Sequence, residues 1–366
     1  MELRSCRLEE RLDAIRLSRS VFKENMGEQF PVLFGPKNVG RMFVALDEGH
    51  IVSMVNYHLT PVKIGPATIR VASVGSVCTD PKYRGQGLAS KLLRLAERKM
   101  RSESVDVVVI SGEGGIYAAF GSGFAGDMRE AKIPGTLLPS ASDVSIRPFA
   151  KTDVPVMRRL YDADPVRFVR QADEFRLLLQ GQTYPDVFAT YPIEIVEQSG
   201  VPAAYAILEI HRDNDDVGIK EMAGDRNALL DAFPLFLAKY RRSQIHCATS
   251  PSDPLLTGFP ASCVTPIHQF ASLKIIDFAA FAERLRPYFR TVIGAKADAL
   301  AFGFDAGAAT ISGEGSRLAV ADPRELVKIV FGFAGAYPSG ATGELALTLS
   351  RLFPVPFPWT HSLNYQ

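Results

Sequence analysis

Cysteine, histidine and surplus charge of either sign are all scarce in this chain of 366 residues. The four cysteines form no CxxC pair, and the six histidines form no HxxxH or HxH pair. This scatter argues against a disulfide framework and against a metal site. A formal net charge of +1 offers no basic excess for a phosphate backbone, so no nucleic-acid partner is expected.

Long apolar runs are also missing. None approaches the roughly 20 residues that a membrane-spanning helix needs, and the opening MELRSCRLEE lacks the apolar core of a signal peptide. We therefore expect a cytoplasmic protein with no membrane partner. Apolar residues make up 47% and charged residues 22% of the chain, which is typical of globular domains, and its length suits two or three of them.

A weak internal similarity, with a period of about 150 residues, divides the first two thirds of the chain. In each half a helical pattern precedes a hairpin of two apolar runs, with turns at Gly49 and Gly200. The segment IPGTLLPSASDVS, rich in Pro, Gly and Ser, is the expected linker between the halves. This pattern predicts two similar domains in tandem.

The last hundred residues have a different pattern. They predict helices with N-caps at Asp277 and Asp322, followed by a last helix in GELALTLSRLF. The tail FPWTHSLNYQ contains the only tryptophan, Trp359, and is too apolar for a frayed end. We expect this tail to dock on the protein.

The stretch TDPKYRGQGLA, residues 79–89, joins the apolar run VASVGSV to LASKLLRLAERKM, whose apolar residues recur at helical spacing. The first N–H groups of a helix are unpaired and attract anions. Gly85 and Gly87 leave the backbone open to a phosphate. Arg84 adds a fixed charge, and Ala89 allows close approach. The stretch therefore predicts a pyrophosphate-binding loop, with a glycine turn that only caps a helix as the alternative.

The glycine pattern of this loop differs from two common nucleotide-binding motifs. It lacks the third glycine of the dinucleotide fingerprint and the Gly-Lys-Ser/Thr of a P-loop, so hydride transfer and nucleotide hydrolysis lose support. Instead, Arg84-x-x-Gly87-x-Ala89 after a strand resembles the acyl-CoA loop R/Q-x-x-G-x-G/A of the GNAT N-acetyltransferases.

A second segment strengthens this resemblance. SVDVVVISGEGGIYAAFGSGFA contains a buried-type strand and Tyr117, with Gly121 four residues later. It is similar to the corresponding segment of the enhanced intracellular survival group of GNAT enzymes. The resemblance is strong over residues 70–125 and extends over the rest of the chain in outline.

The resemblance implies a mixed α+β and α/β fold in three parts. These would be a catalytic GNAT domain with the acetyl-CoA loop at 1–140, a degenerate second GNAT-like domain at 144–264, and a sterol-carrier-like α/β domain at 265–366. Each GNAT domain would be a mixed sheet flanked by helices. In the second domain Gly224 is followed by Asp225, which would cap a helix but repel a pyrophosphate, so this domain is expected to be structural. Related proteins are commonly oligomers, and a homo-oligomer is expected.

The resemblance also implies the site residues. Acetyl-CoA would be the cosubstrate, with no metal, and it would be bound by Val77, Cys78, Thr79, Arg84, Gly85, Gln86, Gly87, Leu88 and Ala89. Tyr117 would be the general acid, because a phenol with a pKa near its usual value of about 10 is protonated at neutral pH. The alternative for Tyr117 is a core position beside Phe120. In the resembling group the base is the C-terminal carboxylate, which Gln366 would carry.

The sequence thus predicts an acetyl-CoA-dependent N-acetyltransferase whose acceptor is a primary amine, of a small molecule or of a lysine in a peptide, that attacks directly. One alternative is a non-catalytic acyl-CoA or lipid-binding protein on the same fold, and another is transfer to oxygen or of a longer acyl chain. Glu24, Glu28 and Glu113 could attract a cationic amine, or could be solvated surface charges. His58 could relay a proton, although a lone histidine in a strand is more often structural.

Overall fold

The computed structural model describes residues 1–112, 114–139, 143–334 and 340–365. Two large mixed sheets and one small antiparallel sheet form the framework. The strands, β1 to β18 in chain order, are Glu2–Ser5, Met42–Asp47, His50–Ile64, Ala67–Thr79, Val107–Ile110, Met128–Pro134, Val144–Pro148, Val166–Phe168, Ala189–Thr190, Ile193–Gln198, Val201–His211, Asp216–Gly224, Gln244–Thr249, Val264–Ile267, Ser272–Ile275, Ala301–Asp305, Ala308–Gly313 and Ser316–Val320. The helices, α1 to α10, are Arg11–Phe22, Met26–Gln29, Leu88–Ser102, Gly115–Phe120, Val154–Asp162, Ala172–Gln182, Arg226–Tyr240, Phe278–Ile293, Pro323–Phe331 and Gly343–Leu352.

The two large sheets share one topology, which accounts for the internal similarity. In the first sheet β1 to β4 pair antiparallel in order, β5 joins β4 in parallel, and β15 pairs antiparallel with β5. In the second sheet β7, β10, β11 and β12 pair antiparallel, β13 joins β12 in parallel, and β6 pairs antiparallel with β13. The predicted tandem arrangement of mixed sheets flanked by helices is confirmed.

Strands β6, β8 and β15 pair outside the parts of the chain to which the predicted boundaries assign them. β8 lies within 144–264 but pairs with β3 of the first sheet. β6 precedes the boundary at residue 140 but belongs to the second sheet, and β15 follows residue 265 but belongs to the first. The predicted linker therefore begins as paired strand, with Ile133 opposite Ile245, and this part of the linker prediction is wrong because Ile133 is fully buried in the second sheet. Residues 140–142 of the linker lie outside the described residues. The division at 1–140, 144–264 and 265–366 stays a prediction.

Helices cover both faces of the first sheet. On one face α3 packs through its apolar stripe, Leu88, Leu92, Leu93, Ala96 and Met100, which confirms the helical spacing seen in the sequence. On the other face α8 and α9 pack through large aromatic and aliphatic side chains that are continuous with the small sheet of β16, β17 and β18. The last part of the chain thus completes the core of the first sheet.

The predicted N-caps of the C-terminal helices are confirmed. The Asp277 side chain accepts from the Ala280 N–H at 3.1 Å and begins α8, and Asp322 accepts from the Arg324 N–H at 2.8 Å and begins α9. These bonds satisfy N–H groups that have no partner within the helix. The likeness of this part to a sterol carrier stays a prediction. Among the described helices, none combines the length and the apolar character needed to span a bilayer.

The second sheet is also covered on both faces. α7 packs on one face, and α5 and α6 pack on the other together with Leu363 of the tail. Leu363 is fully buried there, and Thr360, Ser362 and Asn364 are almost completely buried. The expectation that the tail docks on the protein is confirmed.

Candidate active site

The parallel pairing of β4 with β5 stops partway along β4, and we call the gap beyond it the cleft. The two strands pair from Val71 and Val107 to Val74 and Ile110, after which β5 ends and β4 continues to Thr79. A bulge interrupts the pairing of β4 with β3 at this point, and Ser76 takes a left-handed conformation with φ 53°. Bulges bend a strand and increase its local twist. The segment from Val77 to Thr79 therefore forms one wall of a cleft, on the side of β4 that β5 has left.

The predicted phosphate loop lies at the end of this wall. Gly85 and Gly87 have φ angles of 79° and 69°, a region that L side chains rarely adopt, and Gly87 caps α3. The first main-chain bond of the helix runs from the Lys91 N–H to Gly87 O at 3.1 Å. The N–H groups of Leu88 and Ala89 precede this bond and are the unpaired donors of a helix N-terminus. They could hold an anion such as a pyrophosphate.

Side chains brace the loop and leave its cationic group at the surface. Asp80 accepts from the Lys82 N–H at 2.9 Å, and the Tyr83 hydroxyl donates to Asp47 Oδ2 at 2.9 Å. Arg84 is exposed, with its Nε 3.4 Å from Thr79 O, and Gln86 is exposed beside it. An exposed guanidinium next to free N–H groups is suited to a multiply charged anion.

Tyr117 lies in the short helix α4 that follows the exit of β5. Its ring covers Gly112, where a Cβ atom would lie 3.3 Å from the ring, and Gly121 ends the helix at φ 89°. Burial raises the pKa of Tyr117, and the neighbouring Cys78 and Tyr365 raise it further. The phenol is therefore protonated at neutral pH and lies near both the cleft wall and the tail. The ring also packs on the core cluster of α3 and β5, so the core alternative has a structural basis as well.

Lys274 fixes the helix that presents Tyr117, and the sequence analysis did not single it out. Its Nζ donates to Phe120 O at 2.6 Å, lies 3.7 Å from the centre of the Phe120 ring, and pairs with Glu97 at 3.1 Å. The side chain is only 11% exposed, and burial lowers its pKa. A lone lysine inside the apolar strand SLKII was the signal available in the sequence, since a buried charge needs partners.

The tail brings a second phenol to the site. The Tyr365 ring packs against Phe30 and Phe270, with ring centres 6.3 and 5.8 Å apart, and its hydroxyl is hydrogen-bonded to the Ser111 side chain at the exit of β5. Burial raises the pKa of Tyr365. The Tyr365 hydroxyl therefore meets Ser111, the neighbour of the Gly112 that the Tyr117 ring covers. Gln366 itself lies outside the described residues.

Cys78 is the one cysteine on the cleft wall. Its side chain is buried, and burial raises its pKa to about 12. The thiol is therefore neutral under ordinary conditions, and a neutral thiol is a poor nucleophile. This environment disfavours a covalent acyl-cysteine.

The other polar residues singled out in the sequence have varied surroundings. Glu24 lies largely exposed on the loop after α1, and partial desolvation of its carboxyl, together with Asp186 of the second domain, raises its pKa. Glu28 is exposed, and Glu113 lies outside the described residues. His58 Nε2 lies 3.0 Å from Glu174 Oε1 in α6, which makes His58 a contact between the two halves of the chain.

The second sheet has a counterpart of the phosphate loop with different chemistry. The Asp225 side chain accepts from the N–H groups of Asn227 and Ala228 at 2.8 and 2.9 Å, so this helix N-terminus is occupied by its own carboxylate. Arg226 is engaged by Asp253 and Asp164. The predicted helix cap is confirmed. A structural role for the domain stays a prediction.

Within the described residues, no three or more His, Cys, Asp and Glu side chains are grouped in a way that could hold a metal ion.

Residues 2–125 match the sequence model of the acetyltransferase (GNAT) domain, whereas no curated protein sequence matches the chain significantly.

Solved structures resemble nearly the whole chain. A GCN5-related N-acetyltransferase from Anabaena variabilis is 14% identical with a TM-score of 0.67, covering 97% of this chain and 98% of its own. A probable N-acyltransferase from Enterococcus faecalis is 15% identical with a TM-score of 0.69, covering 96% and 95%. Eis1 from Mycobacterium abscessus is 13% identical with a TM-score of 0.66, covering 98% and 100%. At these identities the likeness establishes a common fold, and with the match of residues 2–125 it identifies the first part of the chain as a GNAT acetyltransferase domain.

Proposed function

We propose that this protein is an acetyl-CoA-dependent N-acetyltransferase that acts on a primary amine by direct attack. The acceptor would be a small molecule or a lysine side chain of a peptide. The observation that carries the proposal is the cleft between β4 and β5, which has the unpaired N–H groups of α3 at one end and Tyr117 near its wall. Acyl-CoA is the cosubstrate of the GNAT family, and the choice of acetyl among acyl groups is part of the proposal.

The two ends of acetyl-CoA would contact different parts of the cleft. The pyrophosphate would bind the N–H groups from Gly85 to Ala89, with Arg84 supplying charge. The pantetheine and the thioester would lie along the segment from Val77 to Thr79, whose backbone groups on the β5 side could pair with amides and polarise the acyl carbonyl. Gln86 and Leu88 belong to the same loop, and the Leu88 side chain anchors it in the core.

The proposed chemistry needs three proton movements. The carboxylate proposed for Gln366, which follows Tyr365, would take the first proton from the ammonium form of the amine. The neutral amine nitrogen then forms a bond to the thioester carbon, the tetrahedral oxyanion collapses, and the carbon–sulfur bond breaks, with the Tyr117 hydroxyl donating its proton to the leaving sulfur. The nitrogen, now bonded to carbon, loses its surplus proton to solvent, and solvent reprotonates Tyr117, so that the products are a neutral amide and the CoA thiol. Holding the amine beside the thioester supplies much of the remaining acceleration.

Direct attack is favoured over an acyl-enzyme by the state of Cys78. A covalent route through this residue would need its thiolate, and burial raises the thiol pKa to about 12. In the direct route the amine itself is the nucleophile. Glu24 and Glu28, exposed on the α1–α2 side, would favour a cationic acceptor over an anionic one.

The first experiment is a calorimetric titration of the protein with acetyl-CoA, followed by a screen of amines for release of free CoA thiol. We expect one binding site per chain, because the second helix N-terminus is occupied by Asp225. Arg84→Glu should weaken binding at least tenfold, by about 1.4 kcal/mol or more. Arg98→Glu makes the same charge change at an exposed position of the same helix, away from its N-terminus, and should bind normally.

The outcomes separate the proposed function from its rivals. Absence of binding would refute the phosphate-loop assignment and the enzyme proposal with it. Binding without turnover on any amine would favour a non-catalytic acyl-CoA-binding protein. Two sites per chain would show that the second domain also binds the cosubstrate.

A further inference from the structure

The tail is held along its length by groups from other parts of the chain. The Val355 N–H donates to Val330 O at 2.7 Å. The buried Gln269 side chain donates from Nε2 to Phe357 O at 3.2 Å and accepts the Thr360 N–H on Oε1 at 3.1 Å. These bonds fix the path of the chain up to Thr360, before it reaches the second sheet.

An ion pair associated with the second sheet holds the end of the tail. Arg170, in the loop after β8, and Glu221, in β12, are joined by two hydrogen bonds of 2.9 and 2.6 Å, and both side chains are almost completely buried. Glu221 Oε2 also accepts the Leu363 N–H at 3.2 Å, and Arg170 Nε donates to Asn364 Oδ1 at 2.6 Å. The pair thus binds both a backbone group and a side chain of the tail.

The surroundings of the pair leave it little freedom. The Arg170 guanidinium lies 3.9 Å from the centre of the Tyr161 ring, and the Tyr205 hydroxyl donates to Glu221 Oε1 at 2.8 Å. A buried ion pair gains little net stability, because the desolvation of both charges offsets their attraction. A gain in stability is therefore a weak explanation for the buried pair. Two parallel hydrogen bonds between a guanidinium and a carboxylate are instead suited to holding the groups bound to them in one geometry.

The Arg170–Glu221 pair holds Asn364, the residue that precedes Tyr365. Tyr365 is in turn hydrogen-bonded to Ser111, the neighbour of the Gly112 that the Tyr117 ring covers. The tail is therefore anchored at Leu363 and Asn364 by the pair, and its next residue, Tyr365, reaches Ser111 at the exit of β5. The N-terminus of α7, occupied by Asp225, takes no part in this contact.

We propose that Arg170 and Glu221 are positioning residues for acetyl transfer in the first domain, because together they hold Leu363 and Asn364 and so fix Tyr365 at Ser111, close to the Tyr117 ring. The inference rests on the proposed function. It gives the second domain a task in the reaction that needs no acyl-CoA of its own, which is to hold the tail up to Tyr365 at the site of the first domain.

Asn364→Leu tests this inference, since it removes the acceptor for Arg170 and leaves the Arg170–Glu221 pair intact. Asn214→Leu is the matched control, because Asn214 is exposed on a loop of the same domain. We expect kcat of Asn364→Leu to fall about tenfold or more while its affinity for acetyl-CoA stays within about twofold, since one charge-assisted hydrogen bond of the tail is lost and the phosphate loop is untouched. Hydrogen–deuterium exchange reports tail docking independently, and the Leu363 N–H, which donates to Glu221, should exchange faster in this variant.

Each outcome decides the matter. Unchanged kcat in Asn364→Leu would overturn the positioning role, and so would a parallel loss of kcat and acetyl-CoA affinity, which would indicate general damage. Unchanged exchange of the Leu363 N–H would show that the bond from Arg170 to Asn364 does not hold the end of the tail. Absence of turnover in the unmodified protein would instead refute the proposed function, and the catalytic role of the pair with it.

Discussion

Removal of the Tyr117 hydroxyl is the sharpest test of the proposed chemistry. In Tyr117→Phe the ring keeps its contact with Gly112 and with the core cluster of α3 and β5, so fold and acetyl-CoA affinity should change little. A general acid typically contributes about 10² to 10⁴ in rate, equivalent to roughly 2.7 to 5.4 kcal/mol of transition-state stabilisation. We expect kcat to fall within that range.

The pH profile gives the prediction a second readout. Because burial, Cys78 and Tyr365 all raise the pKa of Tyr117, the phenol should stay protonated at least up to its usual pKa of about 10. An activity loss on the alkaline side below that pH would therefore not come from this group. Tyr240→Phe is a control, since the Tyr240 hydroxyl donates to Glu194 in the second domain, and this variant should lose stability but not turnover. Equal kcat for Tyr117→Phe and the unmodified enzyme would refute the acid role and leave Tyr117 as a core residue.

Three further substitutions test other parts of the site. Cys78→Ala should keep its turnover in a CoA-release assay, because the neutral thiol takes no part in direct attack, and abolished turnover would instead support an acyl-cysteine. Gly87→Ala should lower the free energy of unfolding by about 1 to 2 kcal/mol, because Gly87 has a positive φ, and should weaken acetyl-CoA binding measured by calorimetry. Gly49→Ala, at φ 81° in an exposed turn, should lower stability by the same amount and bind acetyl-CoA normally. Equal affinities of the two variants for acetyl-CoA would contradict the loop assignment. Lys274→Met removes a charge-assisted hydrogen bond to Phe120 O and should lower the free energy of unfolding by roughly 1.5 to 3 kcal/mol, while Glu97 stays paired to Arg101. An unchanged denaturation midpoint would argue against the role of Lys274 in fixing α4.

The parts of the molecule that are encoded locally were predictable from the sequence. The loop of α3, the helix of Tyr117 and the N-caps at Asp277 and Asp322 each depend on residues within one turn of one another. The turns at Gly49 and Gly200 likewise belong to the confirmed hairpins of β2 with β3 and of β10 with β11.

The contacts between distant parts of the chain were not predictable. Lys274 reaches Glu97 and Phe120 from a strand more than 150 positions away, and Arg170 reaches Asn364 from 194 positions away. The partner of a short strand such as β15 is chosen by packing across the whole fold, and nothing in SLKI specifies β5. The carboxylate proposed for Gln366 is a chain-end property that no pattern of residue types encodes.

The exchange of strands between the two sheets has a consequence for how the chain is made. As residues emerge in order from the ribosome, β5 appears long before β15, its neighbour in the finished sheet. Until residue 275 has been made, the run VVVI has one open edge, and an apolar open edge is a template for pairing with other chains. A fragment ending at residue 140 would have the same exposed edge and would also contain β6 without its partner β13. The part of the chain that forms the first sheet is therefore not separable by a simple cut, and the nascent first sheet depends on the completion of the second half of the chain.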